Sequence, residues 1–329
     1  MTAPYPWLEA SWQQLCQARV QGRMPHALLL SGPRGVGKRD FAQALARALL
    51  CREPDADGQA CGQCQPCRQW QTGSPPDFLR VEPEEEGKAI KVDQVRGLCA
   101  ELSLTSHGGG YKVALLQPAE RMNVNAANSL LKTLEEPTDN TVLLLVTERP
   151  AQLPATIRSR CQQLAFPAPE RELALGWLQQ AGVAAEQAGL LLDLAAGAPL
   201  QAQALAADQV LEQRAGRLAQ LQAVQAGRED PLAVAAEWSK EGDAVTLAWM
   251  QDWIGDMIRI SLGGDTAPVR NADLKDRLHS MAGRLSPAAL FIHLDRVTAA
   301  ARMSAAGINR QLMMEDLIVP WAQAPGMQP

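Results

Sequence analysis

The stretch SGPRGVGKR at residues 31–39 constrains this chain more than any other part of it. Gly32, Gly35, Gly37 and Lys38 occupy the fixed places of the phosphate-loop pattern GxxxxGK[S/T], and Arg39 stands where the pattern ends in a hydroxyl. The apolar run at residues 26–31 is short enough for a buried strand. Residues 40–50 place Phe41, Leu45, Ala48 and Leu49 at helical spacing. Strand, glycine turn and helix together let successive N–H groups face one anion at the positive end of the helix. Lys38 would add a point charge toward the outer phosphates of a nucleotide. A guanidinium in place of the magnesium-binding hydroxyl makes this a loop built for phosphate but poorly built for hydrolysis.

A second departure from nucleotide chemistry lies downstream. The uniformly apolar residues 112–116 predict a buried strand. Such a strand normally ends in an acidic pair that holds magnesium and positions the attacking water. Gln117 and Pro118 follow here, and Glu120 comes two residues too late. Neither Gln117 nor Pro118 supplies a base or a metal charge. The two departures are independent, so no intrinsic ATPase activity is expected. Lys38 is retained, which leaves ATP or ADP binding without turnover open.

Seven cysteines occur, and Cys61, Cys64 and Cys67 stand three residues apart, with Cys51 closing from the end of the preceding helix. Four thiolates fit a closed tetrahedral structural zinc site, with no open position for catalysis. Iron–sulfur ligation is the competing reading, disfavoured by the lack of a further downstream cysteine and of a proline after Cys67. Cys16, Cys99 and Cys161 read as small buried apolar residues.

The rest of the first half alternates. Residues 7–19 read as a helix and residues 72–77 as a loop. Residues 78–81 form a short strand, residues 82–87 an exposed acidic turn, and residues 92–102 a helix. Residues 125–134 are helical up to Pro137, residues 141–146 are a strand, and residues 164–166 are an edge strand. His107 reads as an exposed loop residue. From residue 170 onward only helical patterns remain, including one helix over residues 200–221 and another over residues 288–303. His293 in the latter reads as a satisfied or exposed residue beside a charged face. The net charge of −5 gives no general affinity for DNA or membranes. No apolar run is long enough to span a bilayer and the N-terminus lacks a signal pattern, so a cytoplasmic location is expected.

Several motifs together resemble the clamp-loader subunits of bacterial DNA polymerase III, within the AAA+ family. They are GRMPH at 22–26, the degenerate loop, the four cysteines, NSLLKTLEEP at 128–137 and IRSRC at 157–161. The resemblance implies an α/β AAA+ core with a parallel sheet over residues 1–166, carrying the zinc module at 51–67. It further implies a small helical lid over 167–207 and an all-helical collar over 208–329. Arg160 matches the arginine that such subunits insert into a neighbour's ATP site, a fork of positive charge for transferring phosphoryl oxygens. Arg158 does not match that place. A sensing arginine of active relatives is replaced by Leu200. The implied partners are the gamma/tau and delta subunits, with the sliding clamp and primer–template DNA reached through the complex. Two other readings compete. One is an active AAA+ ATPase. The other is a zinc-ribbon nucleic-acid-binding module, for which Arg52, Arg68 and Trp70 give thin support.

Overall fold

The structure is a computed structural model that describes residues 3–73, 75–85, 87–240, 243–303 and 309–323. Met1 and Thr2 of the N-terminal segment, Ser74 of the predicted loop, Glu86 of the acidic turn and the end of the proposed collar therefore lie outside the described residues. The chain divides into two compact units, Met1–Trp177 with Gly197–Gln201, and Leu178–Ala196 with Ala202–Pro329.

The first unit is built on five parallel strands: β1 (Ala27–Ser31), β2 (Phe78–Val81), β3 (Lys112–Leu116), β4 (Thr141–Thr147) and β5 (Gln162–Ala165). Their spatial order is β2-β3-β4-β1-β5. Register sets Leu29 beside Leu145 and Ser31 beside Thr147. Successive side chains of a strand point to opposite faces, so a strand apolar at every position feeds two cores. Leu28, Leu30, Val113, Leu115, Val142 and Leu144 enter one core. The helices α1 (Glu9–Val20) and α2 (Lys38–Leu50) pack there through Trp12, Leu15, Phe41 and Leu45. Ala27, Leu29, Ala114, Leu116, Leu143 and Leu145 enter the other. That face is covered by α4 (Val92–Leu102), α5 (Val124–Glu135) and the short α6 (Ala155–Arg158), while α3 (Gln65–Gln71) belongs to the cysteine segment. Asn123 caps α5 by accepting the N–H of Ala126 at 2.8 Å. All five strands run the same way, so β1, β4, β2 and β3 release their following residues at one edge, where ligands of open α/β sheets gather.

The remaining helices are α7 (Arg171–Gln180), α8 (Ala185–Leu194), α9 (Pro199–Ala207), α10 (Val210–Gln225), α11 (Pro231–Trp238), α12 (Asp243–Gly263), α13 (Lys275–Ala282), α14 (Pro287–Met303) and α15 (Arg310–Gln323). The single helix expected over residues 200–221 is two. Gln209 adopts φ +52° and breaks the run between α9 and α10. Val210, next in the chain, is buried in the second unit's core, so packing sets a break that no Gly or Pro announces.

That core holds Trp238, Trp253, Trp321, Leu218 and Met257. A polar bolt runs beside it. The fully buried Arg214 donates to Asn271 Oδ1 at 2.6 Å and pairs with Asp273. Asn271 in turn donates its N–H and its side-chain amide to Asp256 at 2.9 and 2.7 Å. Of the two expectations for His293, the exposed one does not hold. The residue is 7% exposed and stacked on Trp321 at 4.6 Å between ring centres. Among the described residues no single helix is long and apolar enough to cross a membrane.

Candidate functional site

The glycine loop leaves β1 and enters α2 as expected, and its own chain fills the space around it. Gly37 has φ +89°, and a Cβ there would lie 2.4 Å from the ring of Tyr5. Gly35 has φ +80°, and a Cβ there would lie 2.7 Å from the backbone N of Gln201. Both positions need glycine, for the left-handed backbone and for the close approach. Gly32 is equally crowded, against the carbonyl of Phe166. The Gly35 carbonyl accepts the N–H of Leu200 at 3.0 Å, and the Val36 carbonyl accepts the Trp7 indole at 2.9 Å. Tyr5 stacks on Trp7 at 5.1 Å, both meet Trp177 edge-on, and the Tyr5 hydroxyl donates to Asp40 at 2.7 Å.

Lys38 is buried, and its ammonium donates to the carbonyls of Gly32 at 2.8 Å and Pro33 at 2.6 Å. Burial lowers its pKa, against the opposing pull of Glu148 and Glu120. Two of its three donors are thus turned to the loop. Arg39 turns outward to Glu82, 3.3 Å away. Glu82 also pairs with Arg80 and accepts from the side-chain amide of the buried Gln117. Burial alone would raise the Glu82 pKa. The hydrogen bonds from Arg80 and Gln117, with the charges of Arg80 and Arg39, outweigh it and carry the group below the usual carboxylate range. The acidic turn is therefore not simply an exposed face. Its first residue binds together Arg39 and Gln117, the two departures from the phosphate-loop chemistry.

Cys51, Cys61, Cys64 and Cys67 converge, with all four sulfurs within 4.8 Å of one another. Cys51 to Cys64 is 3.8 Å and Cys61 to Cys67 is 4.0 Å. A zinc–sulfur bond of about 2.3 Å gives a tetrahedral edge of about 3.8 Å, so the donor set fits such an ion closely. Backbone N–H groups also face the sulfurs: Cys61 N–H lies 3.3 Å from Cys51 Sγ, and Cys64 N–H lies 3.3 Å from Cys61 Sγ. Burial opposes a thiolate at Cys64, yet the N–H groups of Arg52 and Cys67 bring it down to about 6. The four cysteines can hold a metal ion. The preceding loop is tied to α1, since Trp12 Nε1 donates to the Asp57 carbonyl at 3.2 Å and Arg19 donates to the Cys51 carbonyl at 3.0 Å. Cys161 is buried as expected, its thiol pushed up to about 11 by that burial. Cys16 and Cys99 are only half-buried, with sulfurs 3.7 Å from the Asp57 and Ser129 carbonyls. His107 is exposed as expected, but its N–H donates to the buried Asp77 at 2.8 Å.

Arg160 follows α6 on a turn held by its own N–H to the Ile157 carbonyl at 3.1 Å. Ile157 and Cys161 on either side are buried, and the Arg160 side chain is 35% exposed. Its guanidinium donates to the Thr156 carbonyl at 3.0 Å and pairs with Glu135 at 2.6 Å. Tyr5 has no signal in the sequence; Trp7 reads there only as the start of a helix, Glu82 only as the start of the acidic turn, and Glu135 only as part of the NSLLKTLEEP stretch.

Residues 7–170 match the family model described as DNA polymerase III, delta subunit, and residues 208–323 the model for its C-terminal part. The DNA polymerase III subunit delta' of Pseudomonas aeruginosa is 40% identical over 98% of this chain and 98% of its own length. The subunit delta' of Escherichia coli is 34% identical over 96% of this chain and 94% of its own. The fold resembles that of a gamma subunit-related protein of Thermotoga maritima, with a TM-score of 0.50, 19% identity, and coverage of 95% of this chain and 99% of that one.

Proposed function

The chain belongs to the DNA polymerase III delta' family, and we propose that it acts as a non-hydrolysing subunit of the replicative clamp loader that lends Arg160 to the ATP site of a neighbouring gamma/tau subunit. The observation that carries this reading is the state of the chain's own loop. Lys38 turns two of its three donors to the Gly32 and Pro33 carbonyls, and Tyr5, Leu200 and Gln201 crowd the glycines. The carbonyl side of the loop is packed by its own chain, and Arg39 and Gln117 offer no magnesium shell.

Arg160 supports the complementary half. Its backbone is fixed by two buried neighbours while its guanidinium reaches the surface. A planar fork of that kind matches phosphoryl oxygens and stabilises the charge that develops on them during transfer. The subunit then helps couple a neighbour's nucleotide state to opening and loading of the sliding clamp on primed DNA, together with the delta subunit. Residues 167–207 would serve as the lid and residues 208–329 as the collar that joins subunits. The protein works in the cytoplasm.

Cys51, Cys61, Cys64 and Cys67 would hold a structural zinc ion, which when bound cross-links the segment with no open coordination position. The residues themselves anchor that segment to α1, through the Asp57 and Cys51 carbonyls.

The test is reconstitution with the partner subunits. The isolated chain turns over no ATP, and Arg160→Ala lowers DNA-stimulated ATP turnover and clamp loading by the assembly without preventing assembly. Full activity of the Arg160→Ala assembly would overturn the reading.

A further inference from the structure

The pairing of Arg160 with Glu135 has consequences for how the guanidinium is presented. Glu135 is the last residue of α5, so its carboxylate sits at the negative end of a helix. That placement is unfavourable for an anion and favourable for a cation. The Arg160 guanidinium lies against it at 2.6 Å and offsets the cost. α5 and the Arg160 turn are parts of one body, because Leu130 and Leu134 share a core with Ile157 and Cys161. Three acceptors therefore meet the guanidinium, the Thr156 carbonyl at 3.0 Å and the Ser159 hydroxyl at 3.5 Å on Nη1, and the Glu135 carboxylate at 2.6 Å on Nη2.

An arginine side chain is long and rich in rotamers, and freezing it when a partner docks costs binding and transition-state energy. A side chain already aimed avoids that cost at the moment of reaction. We infer that Glu135 is a positioning residue: it holds the Arg160 guanidinium in the orientation in which a neighbouring subunit's phosphates meet it. The inference rests on the reading of Arg160 as a residue acting in trans. The Nε edge and the other side of Nη2, not turned to Thr156, Ser159 or Glu135, are the parts left to face phosphate.

The experiment is a double-mutant cycle in the reconstituted assembly, with DNA-stimulated ATP turnover as the readout. Glu135→Ala lowers kcat by about three- to five-fold, the range of a half-exposed ion pair, with KM for ATP unchanged. Glu135→Gln keeps an acceptor oxygen and recovers part of that loss. In the Arg160→Ala background, Glu135→Ala has no further effect. Assembly and the melting temperature of the Glu135 variants stay at wild-type values, so a folding defect does not explain the loss. Unchanged or increased turnover in Glu135→Ala would overturn the inference, the increase marking Glu135 as a restraint rather than a guide. An equal loss with and without Arg160 would also overturn it, by showing a general structural role. If Arg160→Ala itself had no effect, both this inference and the reading it rests on would fall. An effect of Arg160→Ala without one of Glu135→Ala removes this inference alone.

Discussion

Replacing Gly37 with Ala tests whether Tyr5 packs against the phosphate loop. Gly37 sits at φ +89°, and its new Cβ would lie 2.4 Å from the Tyr5 ring. A non-glycine residue in the left-handed region costs about 1–2 kcal/mol. The Cβ also expels the ring, because the loop backbone cannot yield without breaking the Leu200 and Trp7 hydrogen bonds to Gly35 and Val36. Losing the Tyr5 hydrogen bond to Asp40 and the stack on Trp7 costs about 2 kcal/mol in a partly exposed setting. The total for Gly37→Ala is then about 3–4 kcal/mol. In a Tyr5→Ala background the ring is already gone, and the same change costs only the backbone share of about 1–2 kcal/mol. The coupling of about 2 kcal/mol corresponds to about 30-fold in a local opening constant. Hydrogen-exchange mass spectrometry on the peptides covering residues 31–41 reads that constant directly. Equal acceleration by Gly37→Ala in both backgrounds would refute the claim that Tyr5 packs against the loop.

Replacing Cys61 and Cys64 together with Ser removes bound zinc and lowers the melting temperature. Exchange rises along α1 as well as in residues 51–67, because the Asp57 carbonyl no longer holds Trp12. Zinc content at the wild-type level in that variant would refute the metal assignment. His293 predicts a pH dependence in the helical unit. Burial, with a smaller contribution from the charge of Arg296, lowers its folded pKa below the usual 6.5. Above that value it is neutral in both states. As pH falls the unfolded chain takes up the proton first, and stability declines until the folded pKa is passed. His293→Phe, which keeps a ring against Trp321, flattens that decline between about pH 7 and pH 5 in urea denaturation. An unchanged slope would show that another group is responsible.

Much of the sheet unit was legible because its code is local. Runs of Leu and Val too short for a helix and bounded by Gly or charged residues read directly as buried strands, and β1 and β3 fall where the pattern puts them. The cysteine cluster was legible from spacing, since a tight turn needs only neighbouring residues to bring two sulfurs together. What packs against the phosphate loop was not. Tyr5 and Gln201 approach it from opposite directions along the chain, and no local pattern records the meeting. Glu82 looked like part of a solvated acidic run, and only the fold shows Arg39 and Gln117 arriving from two distant segments to join its near neighbour Arg80. His293 shows the same limit. Its own helix carries charged neighbours, and the residue that buries it is Trp321 on α15. The break at Gln209 lies in a stretch dominated by Ala, Gln and Leu, where the adjacent Asp208 and Val210 are weaker helix formers, and it coincides with burial of Val210 in the second unit's core. The consequence for function is specific. The motifs point to the loop and to Arg160, while the structure supplies the contacts that Lys38, Arg39 and Arg160 make.

The central claim is that the chemistry this chain serves depends on Arg160 and not on its own phosphate loop. A side-by-side measurement of DNA-stimulated ATP turnover in reconstituted assemblies tests it most directly. One assembly carries Lys38→Met, which keeps the apolar stem and removes the ammonium, and the other carries Arg160→Ala. Lys38→Met turning over ATP at the wild-type rate, with Arg160→Ala clearly slower, is the predicted result. A loss of turnover in Lys38→Met with full activity in Arg160→Ala would contradict it.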